Sequence, residues 1–382
     1  MSGLAGMLTG RRRLDRFRRE LKDYFGVKHC FLVSSGQAAF TLILLALKEL
    51  SPGRDEVLIP AFTCYSVPAA IVRAGLRIRL CDVPLDRLDF DSAQVPAIPS
   101  ARVLAAVPTH LFGLPADVAG LRKLLPDPGV AIVEDAAQAM GEGSEGGKLG
   151  TLGDVGFFSL GRGKAFSCVE GGVIVTNRDD IGESLSGIVA RLPGYGLASL
   201  LALILKATAL TVLIRPSLFW LPSSLPFLKL GETLFDPSVP IRRMSSFQAG
   251  LTRHWRRKLE QLRDARSRNV TRWMAVVGLG AHKESLFFNG RSLGLPRLPL
   301  RIKDARAREA LLRESARRGL GIMPVYPTSI AAIPELKGTF ADATFPVAEG
   351  CARELVTLPT HAYLTEDDLG RLGTVVCRAL ER

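Results

Sequence analysis

Seven short apolar runs recur through the first half of the chain, at residues 29–33, 56–59, 76–81, 103–108, 130–134, 155–160 and 172–176. Runs of this length, bounded by turn residues, read as strands. Helical spacing lies between several of them, as at 67–74 and 118–125. It also precedes the first, where Leu14, Phe17, Leu21 and Tyr24 share one side. Strands alternating with helices in this way require an α/β domain built on a mostly parallel sheet. From Ser245 onward the texture changes. A basic amphipathic helix is predicted over 246–277, then a strand near 298–302, a helix over 305–318 and a last helix over 366–380. A chain of 382 residues can bury one large core and a smaller one. The expected division is a large domain over 1–250 and a smaller α+β domain over 251–382, with an apolar insert at about 192–238 in the first.

That insert is out of keeping with its surroundings. Residues 197–214 are nearly all apolar but interrupted by Lys206; Arg215-Pro216 follows, and 217–228 contains Phe219, Trp220 and Phe227. A spanning helix needs about 20 consecutive apolar residues, and here charges and prolines break the run. Two readings stay open for 197–228: a hairpin packed on the protein or on a dimer partner, or a peripheral contact in a membrane interface. The formal charge of +13 allows three kinds of partner: nucleic acid, an anionic membrane surface or a phosphorylated substrate. No helix-turn-helix, zinc or aromatic RNA-binding signature is present, so nucleic acid is set aside. Runs such as Arg256-Arg257-Lys258 and Arg317-Arg318 read equally well as solvated helix faces. Six scattered cysteines, with no C-x-x-C pair and no metal-ligand spacing, suggest reduced thiols in a cytoplasmic protein. The stretch before Arg11-Arg12-Arg13 is short, only mildly apolar and unlike a signal peptide.

Three groups of residues could carry chemistry. The first strand runs straight into Ser34-Ser35-Gly36, and a helix is predicted from Gln37, so backbone N–H groups there point at an anion. Ser159, at the end of Phe157-Phe158-Ser159, would join Ser35, Gly36 and Gln37 in that role. Asp135 follows the fifth run, at the C-terminal end of a strand, where α/β sites are built. The small residues Ala136 and Ala137 after it would let a flat ring approach. Lys164 lies in a loop that begins Gly161-Arg162-Gly163. A phosphate cradle, a carboxylate to keep a pyridine nitrogen protonated and a lysine amine are the needs of pyridoxal 5′-phosphate (PLP). Taken singly, each has a plainer reading: an acid pair can cap a helix, and a lysine in a glycine loop is usually solvated.

Ordered motifs decide between these readings. Ser34-Ser35-Gly36-Gln37-Ala38-Ala39, residues 55–63 (Asp-Glu-Val-Leu-Ile-Pro-Ala-Phe-Thr) and residues 108–117 (Pro-Thr-His-Leu-Phe-Gly-Leu-Pro-Ala-Asp) are followed by Glu134-Asp135-Ala136-Ala137-Gln138-Ala139. Then come residues 153–159 (Gly-Asp-Val-Gly-Phe-Phe-Ser), Lys164, Glu170-Gly171-Gly172, residues 243–249 and Leu358-Pro359-Thr360-His361. This series resembles the DegT/DnrJ/EryC1/StrS family of PLP-dependent sugar aminotransferases, over about 14–380 apart from the insert. The resemblance implies a PLP-dependent transferase type I fold, similar to aspartate aminotransferase, with a large, mostly parallel-sheet domain and a smaller α+β C-terminal one. It also implies a homodimer with its sites at the subunit interface. By motif position Lys164 matches the lysine that binds the cofactor covalently, Asp135 the partner of the ring nitrogen, and Gln138 the residue near the ring hydroxyl. Ser159 and the Gly36 and Gln37 amides match phosphate ligands. Relatives that lost this lysine are dehydratases, so Lys164 points to transamination. The expected reaction moves an amino group from glutamate to a keto sugar, nucleotide-linked, in polysaccharide or glycoconjugate biosynthesis. The alternatives are a membrane-associated aminotransferase acting on a lipid-linked sugar or lipid carbonyl, and a PLP-binding regulatory protein without activity.

Three positions depart from the family pattern. Cys64 replaces a ring-stacking aromatic, with Tyr65 beside it as a substitute; Ile241 replaces an asparagine that reaches the partner subunit's cofactor; and Gly161-Arg162-Gly163 replaces Tyr-Pro-Thr before the lysine. Arg162 is expected to take over a phosphate contact, since a guanidinium grips phosphate bidentately. His110 and His361 are candidate substrate contacts, each equally readable as a packed structural ring. Residues 141–146 match G-x-G-x-x-G, but a Gly-rich polar stretch follows instead of a helix, so a hairpin is expected. Gly163-Lys164 is no P-loop, because Ala165 stands where Ser or Thr must bind Mg²⁺. Lys148, the nearest rival to Lys164, reads as a solvated turn residue.

Overall fold

The computed structural model describes residues 10–84, 86–213, 233–277, 285, 287, 293–340 and 343–381. The chain begins with α1 (Gly10–Phe25), β1 (His29–Val33), α2 (Gly36–Leu50), β2 (Glu56–Pro60), α3 (Ser66–Arg73) and β3 (Arg77–Cys81). It continues through β4 (Val103–Ala106), α4 (Val118–Leu124), β5 (Ala131–Asp135), the short pair β6 (Gly143–Ser144) and β7 (Gly147–Lys148), β8 (Val155–Ser159) and β9 (Gly172–Thr176). After α5 (Asp179–Ala190) and α6 (Leu197–Leu213) come α7 (Ser246–Leu251), α8 (Trp255–Val277), β10 (Arg297–Arg301), α9 (Ala305–Arg318) and β11 (Met323–Pro324). The last elements are α10 (Pro346–Glu354), β12 (Leu355–Pro359) and α11 (Glu366–Leu380).

Seven strands form one sheet in the order β1-β9-β8-β5-β4-β2-β3. Pairings from β8 across to β3 are parallel, whereas β9 runs antiparallel to both β8 and β1. The α/β expectation is borne out. Every residue of β2, β5 and β9 is buried, as it must be where helices cover both faces of a parallel sheet. Because β9 reverses twice, β1 points the same way as β8, β5, β4 and β2. Their five C-terminal ends therefore emerge at one edge, the edge where α/β proteins build sites.

A second sheet, β10-β12-β11, is wholly antiparallel. Its core joins Leu298, Leu300, Val356 and Leu358 to Trp273 of α8 and Leu372 and Val376 of α11. The indole N–H of Trp273 donates to the Pro359 carbonyl at 2.8 Å, which satisfies a polar atom buried in that core. The segment between β11 and β12 crosses back: Tyr326, Ile330, Ile333, Leu336 and Cys351 pack in the same core as α2 and α3.

The structure differs from the sequence reading at two places. The helix expected over 246–277 is two helices, broken at Thr252–His254, where His254 takes a left-handed φ of 60°. Ser245 begins the shorter one with a capping box to Gln248. β12 and α10 had no counterpart in the apolar pattern. The insert opens as a single helix, α6, while residues 214–228 of the expected hairpin lie outside the described residues. The 141–146 run forms the expected hairpin, with Gly143 opposite Lys148.

Candidate active site

A cleft of about 250 Å³ opens at the edge where the five strand ends emerge. Ser35, Gly36 and Gln37 follow β1; Thr63 and Cys64 follow β2; Thr109, His110 and Leu111 follow β4; Asp135, Ala137 and Gln138 follow β5; Ser159 and Lys164 follow β8. A larger open groove of about 540 Å³ runs along the edge strand β3, between Arg77, Arg79, Phe340 and Phe345, and holds none of the candidate residues.

The anion seat is built by α2. Ser35 caps it, its hydroxyl accepting from the Ala38 N–H at 3.0 Å. The amides of Gly36 and Gln37, in the first turn, have no acceptor within the helix and face the cleft with the positive end of its dipole. Gly36 has to be glycine: a Cβ there would lie 2.8 Å from Cβ of Ser159. That approach brings the β1 and β8 ends together, so Ser159 joins the seat.

Asp135 is 5% exposed and its carboxylate accepts one hydrogen bond, from the Ala137 N–H at 3.0 Å. Burial raises its pKa above the ordinary carboxylate value, against the pull of that N–H and of Lys164. Lys164 is half-buried on the opposite loop, and its amine makes no hydrogen bond or ion pair among the described residues. Two hydroxyls on the wall, those of Thr63 and Thr109, are buried with no partner among the described residues. Native interiors rarely leave such atoms unpaired, so their presence together marks the place of a polar ligand. An anion seat, a buried carboxylate with capacity to spare, an unpaired amine and orphan hydroxyls fit PLP.

Gln138 is held at both ends of its amide: the oxygen accepts from the Phe112 N–H at 3.1 Å, and the nitrogen donates to the Tyr326 hydroxyl at 3.2 Å. Tyr326 comes from the far side of the chain. Burial, above all, raises its pKa well above the ordinary phenol value. His110 is fully buried; Nδ1 accepts from the Ala116 N–H at 3.0 Å, so Nε2 carries the proton and donates to Glu134 at 2.9 Å. It is a satisfied neutral ring with one edge on the cleft.

Three candidates are not brought to the cleft. Tyr65 is captured elsewhere: its hydroxyl lies 2.5 Å from the Thr328 hydroxyl and accepts the Thr328 N–H at 3.0 Å. Cys64 takes the wall position instead, its sulfur accepting from the Ser66 hydroxyl at 3.1 Å. Arg162 is exposed and does not line the cleft, because the left-handed Gly163 (φ 73°) turns the loop outward before Lys164. His361 is exposed in the turn after β12 and does not line the cleft either. Ile241 packs against the large core. Lys148 is exposed, its ammonium 4.1 Å from the centre of the Tyr24 ring.

Sequence reasoning missed Arg266. From α8 its guanidinium donates to the Ala165 carbonyl at 2.7 Å and the Lys164 carbonyl at 3.1 Å. Burial lowers its pKa to about 10. Nothing in a basic helix marks one arginine among many as the clamp on a loop a hundred residues away.

A parallel α/β sheet with a lysine, a buried aspartate and an anion seat at one edge defines the class of PLP-dependent transferases. Comparison with known proteins sharpens this. A model of the DegT/DnrJ/EryC1/StrS aminotransferase family matches residues 4–196 and 241–377, and the chain belongs to that family. It is 26% identical over 370 residues, 93% of this chain and 87% of the relative, to a GDP-perosamine synthase of Caulobacter vibrioides. Its fold matches Helicobacter pylori PseC, an aminotransferase involved in the biosynthesis of pseudoaminic acid, at a TM-score of 0.78 and 17% identity, covering 100% of this chain and 95% of that one. It also matches an E coli GDP-4-keto-6-deoxy-D-mannose-3-dehydratase with bound hydrated PLP, at a TM-score of 0.72 and 18% identity, covering 95% and 91%. The protein is an aminotransferase, and its cofactor is PLP.

Proposed function

We propose that the chain transfers an amino group from glutamate to the ketone of a nucleotide-linked sugar, working as a homodimer. The observation that carries the reading is the pairing, at one cleft, of an amine with no partner (Lys164) and a buried carboxylate with one hydrogen bond (Asp135). The relative named as a GDP-perosamine synthase supports a nucleotide-linked acceptor, and the charge of +13 suits a diphosphate.

When bound, PLP supplies an electron-accepting ring that stabilises negative charge on the substrate carbon. Ser35, Gly36, Gln37 and Ser159 hold its phosphate. Asp135 holds a proton on the ring nitrogen, which burial of the carboxylate makes a strong pairing. Gln138, fixed by Phe112 and Tyr326, stands at the ring's hydroxyl side. Lys164 would be the base: its amine would take the proton from the donor's α carbon and deliver it to the carbon on the other side of the transferred nitrogen, and the acceptor half-reaction would run the same moves backward. Arg266 keeps the loop, and so the amine, in register.

A second reading, a lipid-linked sugar or lipid carbonyl as acceptor, is favoured by the exposed leucines of α6 (Leu197, Leu201 and Leu205). The absorption spectrum of the purified protein tests the central claim. A cofactor band should be present, change on addition of glutamate and be absent from Lys164→Ala. No band in the wild type removes the reading; a band that no amino donor alters leaves a regulatory PLP-binding protein.

A further inference from the structure

The family model matches the chain on both sides of 197–240 and leaves that segment unmatched. Its composition is one-sided. From Ser184 to Gly231 there is no aspartate or glutamate, while Arg191, Lys206, Arg215 and Lys229 are all basic. Within it, α6 docks by one side only. Leu203 and Ala207 are buried against Phe247 of α7, and Lys206 on the flank reaches Glu170 at 3.2 Å.

The other side has no cover among the described residues. Leu197, Leu201 and Leu205 are 75%, 52% and 70% exposed, and a spacing of four sets them in one stripe along the helix. Around them the exposed positions are Ala198, Ala202, Lys206, Thr208, Ala209 and Thr211, of which Lys206 alone is charged, and it sits on the flank that reaches Glu170. A helix at a water-facing surface normally carries its polar residues on that side. At 17 residues α6 is about 25 Å long, and no described helix is long and apolar enough to cross a membrane. It suits lying in an interface and not spanning one.

We propose that this face of α6 docks on the surface of an anionic phospholipid bilayer. Leucines would enter the headgroup boundary, and the segment, which contributes basic residues and no acid of its own from 184 to 231, would be drawn to the negative lipid. A symmetric contact between two copies fits less well, because it would set an acid-free basic segment against itself. The segment also reaches the cleft. Its far limb receives a hydrogen bond from the Gln37 side chain at the Asp236 carbonyl (2.7 Å), and Val239 lies on the cleft wall. Docking would hold the cleft close to the bilayer. The proposal stands independently of the aminotransfer reading, since it concerns partition and not turnover.

The test is co-sedimentation of the full chain, loaded with cofactor, with phosphatidylcholine vesicles and with vesicles that also contain phosphatidylglycerol. The wild type should pellet with the anionic vesicles, less so in high salt, and stay in solution with phosphatidylcholine alone. Leu197→Ser/Leu201→Ser/Leu205→Ser should weaken that partition by about tenfold or more. Should the triple variant lose its folded circular-dichroism signal, Leu197→Ser and Leu205→Ser singly should each show a smaller loss. A wild type that stays in solution with both vesicles overturns the proposal, as do variants that pellet like the wild type. A triple variant with a smaller oligomeric state than the wild type assigns the face to a second copy and overturns it too.

Discussion

Glu134 and Asp135 are neighbours on β5, and the alternation of a strand sends their side chains to opposite faces of the sheet. Both are buried. On its face, Glu134 accepts four hydrogen bonds: Oε2 from His110 at 2.9 Å and from the Gly150 N–H at 2.8 Å, Oε1 from the N–H groups of Leu152 and Gly153 at 2.5 and 2.6 Å. On the other face, Asp135 accepts one and looks into the cleft. A carboxylate whose lone pairs are filled by the fold is holding the fold together. One left unfilled is waiting for a partner the chain does not supply. Glu134 ties the β7–β8 turn and His110 into a rigid wall, and Asp135 uses that wall.

The largest expected effect is on the amine that faces Asp135. Lys164→Ala should lower transamination by at least about 10³-fold, because both proton transfers lose their base, with the urea midpoint near that of the wild type. Turnover measured beside urea unfolding separates the two. The pair itself comes next. Asp135→Asn should reduce activity by about 10²-fold or more while leaving stability unchanged or slightly raised, since burial already disfavours its charge. Glu134→Gln should do the reverse first: an amide nitrogen would face donors now bonded to a carboxylate oxygen, costing about 3 kcal/mol of stability. If the two variants lose stability equally, the contrast between the faces is wrong.

Asp89 offers a third carboxylate to sharpen the contrast, buried like Glu134 but poorly bonded like Asp135. Its Oδ2 accepts the Asp117 N–H at 3.0 Å and its Oδ1 meets no donor in good hydrogen-bond geometry among the described residues, yet it does not line the cleft. Burial pushes its pKa up to about 6. A carboxyl raised in the fold favours the protonated native state, so its contribution is full below about pH 4 and is lost as pH rises through 6. Asp89→Asn, which cannot ionise, should therefore gain on the wild type between those values and hold the gain above them. The linkage gives a difference on the order of 2–3 kcal/mol at neutral pH. Urea unfolding of both proteins from pH 4 to 8 measures it; a difference that does not vary with pH would sink the assignment.

Much of this was legible in the chain. The strands were read to within a few residues because parallel strands covered on both faces are continuous apolar runs. β12 escaped because α10 passes directly from Glu354 into Leu355, with no glycine or proline to mark the change. The break after α7 has no local signal either. Glu20 holds the start of α8 from outside: its side chain accepts from the Trp255 indole at 2.9 Å and its carbonyl from Arg256 at 2.6 Å. At the cleft, the residues within ordered motifs could be found, since each lies just past a strand end. Tyr326 and Arg266 could not, because they reach Gln138 and Lys164 across 188 and 102 residues of sequence. Tyr65 misled for the same reason: its true partner, Thr328, is as remote. Local pattern locates the sheet's edge, and tertiary packing decides what else arrives there.

Arg266 gives the smallest effect and the finest probe of how rigid the cleft must be. Its two N–H groups fix adjacent carbonyls, so the Lys164 loop is held by a planar fork. Lysine at this position keeps the charge but makes a point contact, and cannot span both carbonyls. Arg266→Lys should lower kcat by about tenfold with KM little changed, because the amine loses register while the binding groups stay in place. The cofactor's absorption band should remain but respond more slowly to glutamate in stopped-flow measurement. An unchanged kcat would mean that Gly161 and Gly163 already allow the loop to find its place unaided. A change in KM alone would place Arg266 with the wall behind Glu134 and not with the base.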